Sequence, residues 1–327
     1  MTRTVLITGA TGFSGSFLME YYASAGWGVV GTHLGAPEYS PDQTLGNISL
    51  RSIDLRDCQA VRDLFLEVRP DLVVHLAAQS SVSMSWERPM QTLTDNATMQ
   101  YAVLEAVLES NRGARIITIG SADEYGCVAP DENPVSEEHE LLPASPYGLS
   151  KVVQDLMARQ YWEIHGLDVV RTRPFQQAGP RRADKFVAGS FARQVSEIAV
   201  GVRERVIHVG NIDLERDFVD VRDVARAYAL LAERGQAGEV YNIATGVPRT
   251  LRDMLELMLK DSGVSAEIRE DPSRRRLQEA PLLTGDASKL RSTTGWTPEV
   301  SFEQSVLDTL GYWRRRVQEE QSIPAHG

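Results

Sequence analysis

The stretch VLITGATGFSGSFL, residues 5–18, decides the fold of this chain. A short apolar run ends at three glycines spaced by three residues, and a helical apolar pattern follows them. Glycines allow a tight turn and let the backbone approach a ligand, while the first turn of a helix offers unpaired N–H groups to an anion. The stretch therefore predicts a strand, a pyrophosphate-binding loop and a helix. Its expected cofactor-binding residues are Gly9, Thr11, Gly12, Phe13 and Gly15.

Short β-branched runs and longer helical patterns alternate as far as about residue 175. The predicted strands cover residues 4–8, 28–32, 49–53, 72–77, 115–120 and 168–173, and the main predicted helices cover 15–25, 58–68, 91–110 and 146–165. This alternation is typical of an α/β protein with a Rossmann-type, doubly wound parallel sheet, whose ligands bind at the carboxyl ends of the strands.

The alternation breaks down beyond residue 175, which predicts a second, smaller lobe. We expect residues 1–175 and 205–245 to form the dinucleotide-binding Rossmann domain. Residues 176–204 and 246–327, which are mostly helical with proline-rich connections, would form a substrate-binding lobe. A cleft between the two is where a small molecule would bind.

The amino-acid composition bears on which kinds of partner the protein could bind: nucleic acid, a metal ion or a membrane. The chain has 34 basic and 45 acidic residues, a net charge of −11, and its arginines are dispersed, which argues against nucleic acid. Its two cysteines form no motif, which suits a reducing compartment, and its six histidines fit no metal-ligand spacing. No apolar run approaches the roughly 20 residues of a membrane span, and the first strand begins too early for a signal peptide. We expect a cytoplasmic protein with no membrane partner and no metal.

The choice between NAD and NADP stays open at this stage. The second strand ends in Thr32-His33-Leu34, with neither the acidic residue that binds an NAD ribose nor an arginine for an NADP phosphate. Asp54 follows the third strand and could meet the adenine amino group, although a helix N-cap is an equally good interpretation. The remaining cofactor candidates at strand ends are His33, Leu55, Leu76, Ala77, Ala78 and Pro174.

The motif SPYGLSK, residues 145–151, places Tyr147 and Lys151 one turn apart on a helix. A lysine ammonium beside a phenol should lower the pKa of the phenol, so that the tyrosine can exchange a proton with a carbinol oxygen. The motif also arises by chance on helices. Its weight comes from the glycine loop and from Ser121, which ends the strand between them.

These motifs together resemble the extended short-chain dehydrogenase/reductase family, over nearly the whole chain. The matching stretches are TGATGFSG, HLAAQSSV, GSADEYG, SPYGLSK, RPFQQAGP and RDFVDVRDVARAY. Within the family, the chain is similar to the sugar-nucleotide branch that contains GDP-mannose 4,6-dehydratases and the reductases of their 4-keto-6-deoxy product. The similarity to the reductases is greater, through FARQ, GEVYNIATG, EDPSR and GDASKLRSTTGWTPE.

The resemblance implies a catalytic trio. Hydride would arrive at C4 of the sugar from NAD(P)H, while Ser121 polarises the carbonyl, Tyr147 protonates its oxygen and Lys151 holds the cofactor ribose. The partner implied is a nucleotide-diphosphate sugar, with GDP as the expected nucleotide. The resemblance also implies a homodimer through helices 91–110 and 146–165, which carry apolar residues such as Met99, Tyr101, Leu104 and Leu108. Burial within a monomer would produce the same pattern.

The stretch GSADEYG, residues 120–126, separates a reductase from a dehydratase. The family's dehydratases carry an acid pair where this chain has Ala122 and Asp123. Elimination of water requires both an acid and a base, and a misplacement of about 1 Å can cost about a hundredfold in rate. Asp123 is one methylene shorter than the usual glutamate, and Glu124 aligns with an apolar position on the opposite face. The pattern favours reduction and leaves Asp123 as a catalytic candidate.

Several polar residues match positions that bind the nucleotide sugar in this branch. Arginine forks suit a diphosphate and a carboxylate suits ribose hydroxyls, although each of these side chains could equally be a solvated surface group. The usual asparagine after RPF is replaced by Gln176, which should alter the sugar pose. The substrate candidates are Gln79, Ser83, Ser85, Gln176, Arg193, Asn211, Arg216, Arg276 and Glu279.

The leading hypothesis is an NAD(P)H-dependent reductase of a nucleotide-linked 4-keto-6-deoxy sugar. The alternatives are a 4,6-dehydratase with tightly held NAD that uses Asp123 or Glu124 as its base, and a 4-epimerase on the same scaffold. A non-catalytic cofactor-binding protein would tolerate loss of Ser121, Tyr147 and Lys151. All three are present.

Overall fold

The computed structural model describes residues 2–37, 39–41, 46–274 and 279–322. Its strands are β1 (Thr4–Thr8), β2 (Gly28–His33), β3 (Ile48–Ser52), β4 (Leu72–His75), β5 (Arg115–Ile119), β6 (Val169–Pro174), β7 (Gln176–Ala178), β8 (Val206–Val209), β9 (Glu215–Asp220), β10 (Val240–Ile243), β11 (Pro248–Thr250), β12 (Glu267–Glu270) and β13 (Leu282–Leu283). Its helices are α1 (Phe13–Ser24), α2 (Cys58–Val68), α3 (Val82–Glu87), α4 (Pro89–Ser110), α5 (Pro146–His165), α6 (Val187–Ala199), α7 (Val221–Arg234), α8 (Leu251–Ser262), α9 (Ser288–Thr294) and α10 (Phe302–Ser322).

A seven-stranded parallel sheet forms the larger part of the molecule, in the order β10, β6, β5, β4, β1, β2, β3. The order reverses between β1 and β4, which creates a crevice at the carboxyl ends of these two strands. All six strands predicted before residue 175 lie in this sheet, with bounds shifted by at most two residues. The predicted Rossmann-type fold class is confirmed.

Helices cover both faces of the sheet because its strands are apolar on both sides. Val5 and Ile7 of β1 belong to one buried cluster, together with residues of α1 and α7. Leu6, between them, belongs to a second cluster on the opposite face, with residues of α2, α4 and α5. Successive side chains of a strand point to opposite faces, so one strand contributes to both cores.

A second lobe is built around its own core. Helices α6, α8 and α10 pack together through apolar side chains, among them Phe191, Met254, Leu310 and Trp313. Two small sheets complete this lobe: β12 pairs with β8, and β9 pairs with β7, β11 and β13. Among the described residues no helix is long and apolar enough to cross a membrane. The described ranges also contain no group of three or more His, Cys, Asp or Glu residues that could hold a metal ion.

The strand pairings depart from the predicted domain division inside 205–245. The strands β8 and β9 lie in this segment but outside the seven-stranded sheet, whereas α7 packs against that sheet and β10 joins it. Conversely, α9 packs against α7 and β10 although it lies in the segment predicted for the second lobe. Alternation of strand and helix looks the same in either sheet, so local pattern does not reveal which partner a strand selects.

A buried ion network ties β6 to α5 behind the cleft. The guanidinium of Arg173 lies 2.9 Å from Glu124 and 2.9 Å from Asp155, and Arg171 lies 2.9 Å from Asp155. Arg173 also donates to the hydroxyl of Tyr125 at 3.2 Å. All four charged side chains are buried. Burial and the nearby Asp155 raise the pKa of Glu124 to about 8, and the positive charge of Arg173 opposes this rise.

Replacing Arg173 by Met should destabilise the protein by about 3–5 kcal/mol, because it leaves two buried carboxylates with one remaining guanidinium. Urea unfolding followed by tryptophan fluorescence measures the change. The matched control is Arg159→Met, which removes an exposed pair with Glu163 on the surface of α5 and should change the free energy of unfolding by only about 0.5 kcal/mol. Equal losses in the two variants would contradict a structural role for the network.

Candidate active site

A cleft of about 1290 Å³ opens at the carboxyl ends of the central strands, facing the second lobe. Its floor includes residues that follow β4, namely Leu76, Ala77 and Ala78, and Pro174 at the end of β6. Three polar groups of the second lobe, from Asn211, Arg216 and Glu279, line it from the other side. The cleft thus collects predicted residues from segments that are more than 200 positions apart in sequence.

The glycine loop forms the end of this cleft next to β1, and its five predicted residues all line it. Gly9 has a φ of +64°, and a Cβ atom there would lie 3.0 Å from the Cα atom of Ala77. A Cβ atom at Gly15 would lie 2.7 Å from the carbonyl oxygen of Ala10, so the start of α1 can approach the loop only with glycine. Gly12, the N-cap residue of α1, provides no side-chain hydrogen bond to the helix. This cradle and its uncapped first turn fit a dinucleotide pyrophosphate.

At the opposite end of the cofactor region, His33, Asp54 and Leu55 line the cleft. The Nδ1 atom of His33 lies 2.8 Å from the carbonyl oxygen of Gly35. Asp54 accepts three hydrogen bonds from the guanidinium of Arg56, at 2.9, 3.2 and 2.6 Å, and these bonds lower the pKa of its carboxyl group. The N-cap interpretation of Asp54 is wrong, because Asp57 occupies that position and accepts from the first turn of α2.

Ser121 begins a short 3-10 turn, Ala122–Glu124, directly after β5. Its backbone N–H donates to the Glu124 carboxylate at 2.8 Å. Its hydroxyl accepts from the backbone N–H of Asp123 at 3.1 Å and donates to the Asp123 carboxylate, also at 3.1 Å. The two acids therefore have separate tasks: Asp123 lines the cleft, whereas Glu124 is fully buried against Arg173. Glu124 cannot reach a substrate as the base of a dehydratase.

Helix α5 carries Tyr147 and Lys151, which both line the cleft. Two residues fix the position at which this helix begins. Ser145 caps the helix by accepting from the N–H of Gly148 at 3.0 Å, and Pro146 occupies its first position. The ammonium of Lys151 donates to the carbonyl oxygen of Ile119 at 2.7 Å and lies 5.9 Å from the centre of the Tyr147 ring. Burial lowers the pKa of Lys151 to about 8.

The expected lowering of the Tyr147 pKa by Lys151 is not found. Burial and the nearby Asp123 carboxylate raise this pKa above its usual range, while a hydrogen bond with Ser121 and the charge of Arg182 oppose the rise. Sequence spacing revealed the helical neighbour but not the surrounding acid or the depth of burial. The result is a phenol that holds its proton, a state suited to a proton donor.

Arg182 is a cleft residue that sequence reasoning missed. Its guanidinium lies between two aromatic rings, 3.7 Å from the centre of Phe186 and 4.8 Å from that of Phe13. Its Nε atom is buried without a hydrogen-bond partner among the described residues, and burial lowers its pKa to about 10. A sandwiched guanidinium beside the glycine loop is suited to an anion. The sequence feature that could have identified it is the pair Arg181-Arg182 directly after RPFQQAGP, with Phe186 four residues further on.

The predicted substrate residues divide into two groups. Those that line the cleft are Gln79, Ser83, Gln176, Asn211, Arg216 and Glu279. Ser85 does not line it, because its hydroxyl turns back within α3 to the carbonyl oxygen of Val82 at 2.6 Å. Arg193 also lies apart, paired with Asp184, Glu197 and Glu320 over the ring of Trp313. Arg276 lies outside the described residues.

The Rossmann fold and this cleft together define an NAD(P)-dependent oxidoreductase of the extended short-chain dehydrogenase/reductase kind. Residues 6–309 match the sequence profile of GDP-mannose 4,6 dehydratase. The chain therefore belongs to the GDP-mannose 4,6 dehydratase family, and the resemblance to the sugar-nucleotide branch is confirmed.

Individual relatives include both activities expected of this branch. The GDP-6-deoxy-D-mannose reductase of Pseudomonas aeruginosa is 35% identical, covering 98% of this chain and 100% of that protein. GDP-mannose 4,6 dehydratase 1 of Arabidopsis thaliana is 30% identical, covering 93% of this chain and 88% of that protein. The solved structure of RMD from Pseudomonas aeruginosa complexed with NADPH superposes with a TM-score of 0.84, at 33% identity, covering 96% of this chain and 100% of that one.

Binding of NADPH should weaken as the pH rises through about 8, because Lys151 then loses its proton in the folded protein. The neutral amine offers the cofactor a weaker donor and no positive charge, so the dissociation constant should increase roughly five- to tenfold between pH 7 and pH 9.5. Fluorescence titration measures it.

The control for this pH dependence is Lys151→Met, which should bind weakly at every pH in that range and show no inflection near 8. A wild-type dissociation constant that stays flat from pH 7 to pH 9.5 would contradict the assignment of the inflection to this lysine.

Proposed function

We propose that the protein is an NAD(P)H-dependent reductase that converts the 4-keto group of a GDP-linked 4-keto-6-deoxy sugar to an alcohol. The observation that carries the proposal is the make-up of the 3-10 turn. Ala122 offers only a methyl group, and the Asp123 carboxylate is hydrogen-bonded to Ser121. Elimination of water requires a separate acid and base on adjacent carbons, whereas reduction requires a proton donor at one oxygen. Tyr147, whose raised pKa keeps it protonated, supplies that donor.

The proposed mechanism assigns each side chain one task. A bound nicotinamide dinucleotide supplies the hydride. Tyr147 donates its phenolic proton to the C4 oxygen, and Ser121 turns its hydroxyl from Asp123 to the same oxygen. Lys151, anchored to the carbonyl oxygen of Ile119, presents its ammonium to the cofactor ribose. The Glu124 carboxylate keeps Ser121 in place through the backbone N–H.

A GDP-linked substrate is supported by the relatives named above, both of which act on GDP sugars. On the side of the second lobe, the cleft is lined by Arg216 and Arg274, whose guanidinium groups suit a diphosphate. Free, exposed Cys58 and Cys127 suit a reducing compartment, in agreement with a cytoplasmic location.

Dehydration is the second candidate, and one observation favours it. Asp123 lines the cleft and lies close enough to Tyr147 to raise its pKa. A carboxylate at that point could take a proton from a carbon next to the carbonyl group. The missing partner acid at Ala122 is the reason that reduction is the better interpretation.

Two incubations test the proposal. With the 4-keto-6-deoxy product of GDP-mannose, NADPH or NADH should be oxidised, and the absorbance at the reduced-nicotinamide band should fall in step with formation of the sugar alcohol. With GDP-mannose alone, no 4-keto product should form. A 4-keto product from GDP-mannose without added cofactor would overturn the reductase proposal. A dTDP-linked 4-keto-6-deoxy sugar serves as the control for the nucleotide.

Asp123→Asn distinguishes the two candidates within one variant. Reduction should stay within about threefold of wild type, because the amide keeps the size of the side chain and can still accept from Ser121. Tyr147→Phe, which removes the proton donor, should lose about 10²–10⁴-fold in kcat. If Asp123→Asn loses as much as Tyr147→Phe, then Asp123 takes part in proton transfer. Any dehydration of GDP-mannose by the wild type should be abolished in Asp123→Asn.

We also propose a homodimer through α4 and α5. Leu149 and Leu156 lie two turns apart on α5 and are 46% and 52% exposed, and Tyr101 on α4 is 46% exposed. Leu104, one of the residues expected at this interface, is fully buried within the chain. The proposal therefore depends on the exposed side chains of Leu149, Leu156 and Tyr101. Large apolar side chains grouped on adjacent helices are typical of a protein–protein interface.

Leu156→Glu should convert the dimer to a species of the 36.2 kDa chain mass in sedimentation equilibrium, because it buries a charge in the interface. Val202→Glu is the matched control, since this 49% exposed residue lies on the second lobe. A wild type that sediments as a monomer at micromolar concentration would contradict the dimer.

A further inference from the structure

Tyr228 on α7 is a second phenol in the cleft, and the mechanism above does not use it. The residue is fully buried and lines the cleft. Its hydroxyl has no hydrogen-bond partner among the described residues, and burial raises its pKa above the usual range. Buried hydroxyl groups in native proteins are nearly always hydrogen-bonded, because an unpaired one keeps the desolvation penalty without compensation. A hydroxyl left unpaired at a ligand cleft suggests that the ligand is its partner.

The surroundings of this hydroxyl indicate which kind of ligand it meets. The side chain of Gln177 lies close enough to this hydroxyl to oppose the rise of its pKa, and the Oε1 atom of Gln177 accepts from the Ser14 hydroxyl at 2.6 Å. Ser14 lies in the uncapped first turn of α1. Tyr228 is therefore connected, through one side chain, to the helix start at which the glycine loop ends.

A cation completes these surroundings. Helix α7, which carries Tyr228, packs against α1, and both Tyr228 and Arg182 line the cleft. Arg182 stacks on Phe13, the first residue of α1, and its Nε atom is also unpaired. A helix N-terminus, a guanidinium and unpaired donors that line the same cleft are the features of an anion site.

We propose that the Tyr228 hydroxyl donates a hydrogen bond to the phosphate on the nicotinamide side of the bound dinucleotide. The proposal rests on the proposed function, because it takes the cofactor to be NAD(P)H. It makes α7, a helix outside the glycine loop, a contributor to cofactor binding. The ligand stabilises a hydroxyl that is unpaired without it, so the bond contributes to affinity and not to the stability of the unliganded chain.

Tyr228→Phe removes the hydroxyl alone and tests the proposal, and Tyr22→Phe is its matched control. Tyr22 on α1 is also buried with an unpaired hydroxyl, but it does not line the cleft. Isothermal titration calorimetry of the wild type and both variants uses four probes: NADPH, ADP-ribose, AMP and GDP. ADP-ribose carries both phosphates without nicotinamide, and AMP carries only the adenosine-side phosphate.

In Tyr228→Phe, the dissociation constants of NADPH and ADP-ribose should rise about tenfold or more, which is the loss of a hydrogen bond to a charged group. Those of AMP and GDP should not change, and the unliganded melting temperature should stay equal to or slightly above that of wild type. Tyr22→Phe should match wild type with all four probes. Retained GDP binding shows that the variant is folded.

Three results would overturn the proposal. If NADPH weakens but ADP-ribose does not, the hydroxyl contacts nicotinamide. If GDP weakens, the hydroxyl belongs to the substrate side of the cleft. If Tyr228→Phe binds every probe as wild type does, the hydroxyl has no ligand. If the wild type binds neither NADPH nor NADH, the proposed reductase function itself is contradicted. This result differs from the three above, in which the wild type binds the cofactor and only the role of Tyr228 is contradicted.

Discussion

The guanidinium of Arg173 holds two buried carboxylates, and the geometry of the cleft depends on this arrangement. Asp155 belongs to the helix that carries Tyr147 and Lys151, while Glu124 belongs to the turn that carries Ser121. Arg173 lies on β6, the strand beside β5, and contacts both carboxylates at 2.9 Å. One side chain thus sets the position of the helix relative to the turn. Because its partners are buried, the network specifies one arrangement at a price in desolvation.

Burial also determines the chemistry on the other side of this network. It raises the pKa of Tyr147 and lowers that of Lys151, so each group is shifted toward its neutral form. A neutral phenol suits proton donation to a carbonyl oxygen, and a lysine that titrates near 8 keeps its charge at neutral pH. The same site, with Asp123 as its only acid in the turn facing the cleft, is less suited to removing a proton from carbon.

Spacing along the chain was sufficient to predict the parts that follow from local geometry. The glycine loop, the six strands up to β6, and the one-turn separation of Tyr147 and Lys151 each depend on residues within a few positions of one another. The residues that were missed, Arg182 and Tyr228, reach the cleft from a loop and from α7, and their orientation depends on packing against α1. The sheets that β8 and β9 join do not follow from local pattern for the same reason, since a strand's partner is chosen by long-range contacts.

GSADEYG illustrates where local information ends. The sequence shows that two acids follow a hydroxyl group at the end of a strand. The alternation of side chains along an extended segment predicts that the two acids point to opposite faces. The pairing of Glu124 with Arg173, 49 positions away, and the hydrogen bond of Asp123 to Ser121 emerge only when β5, β6 and α5 are assembled. Motifs identify the chemistry that is available, because the type of each side chain is given directly by the sequence. The tertiary structure determines the pKa of each group and whether its side chain reaches the cleft, because burial and nearby charges depend on residues that are distant in the chain.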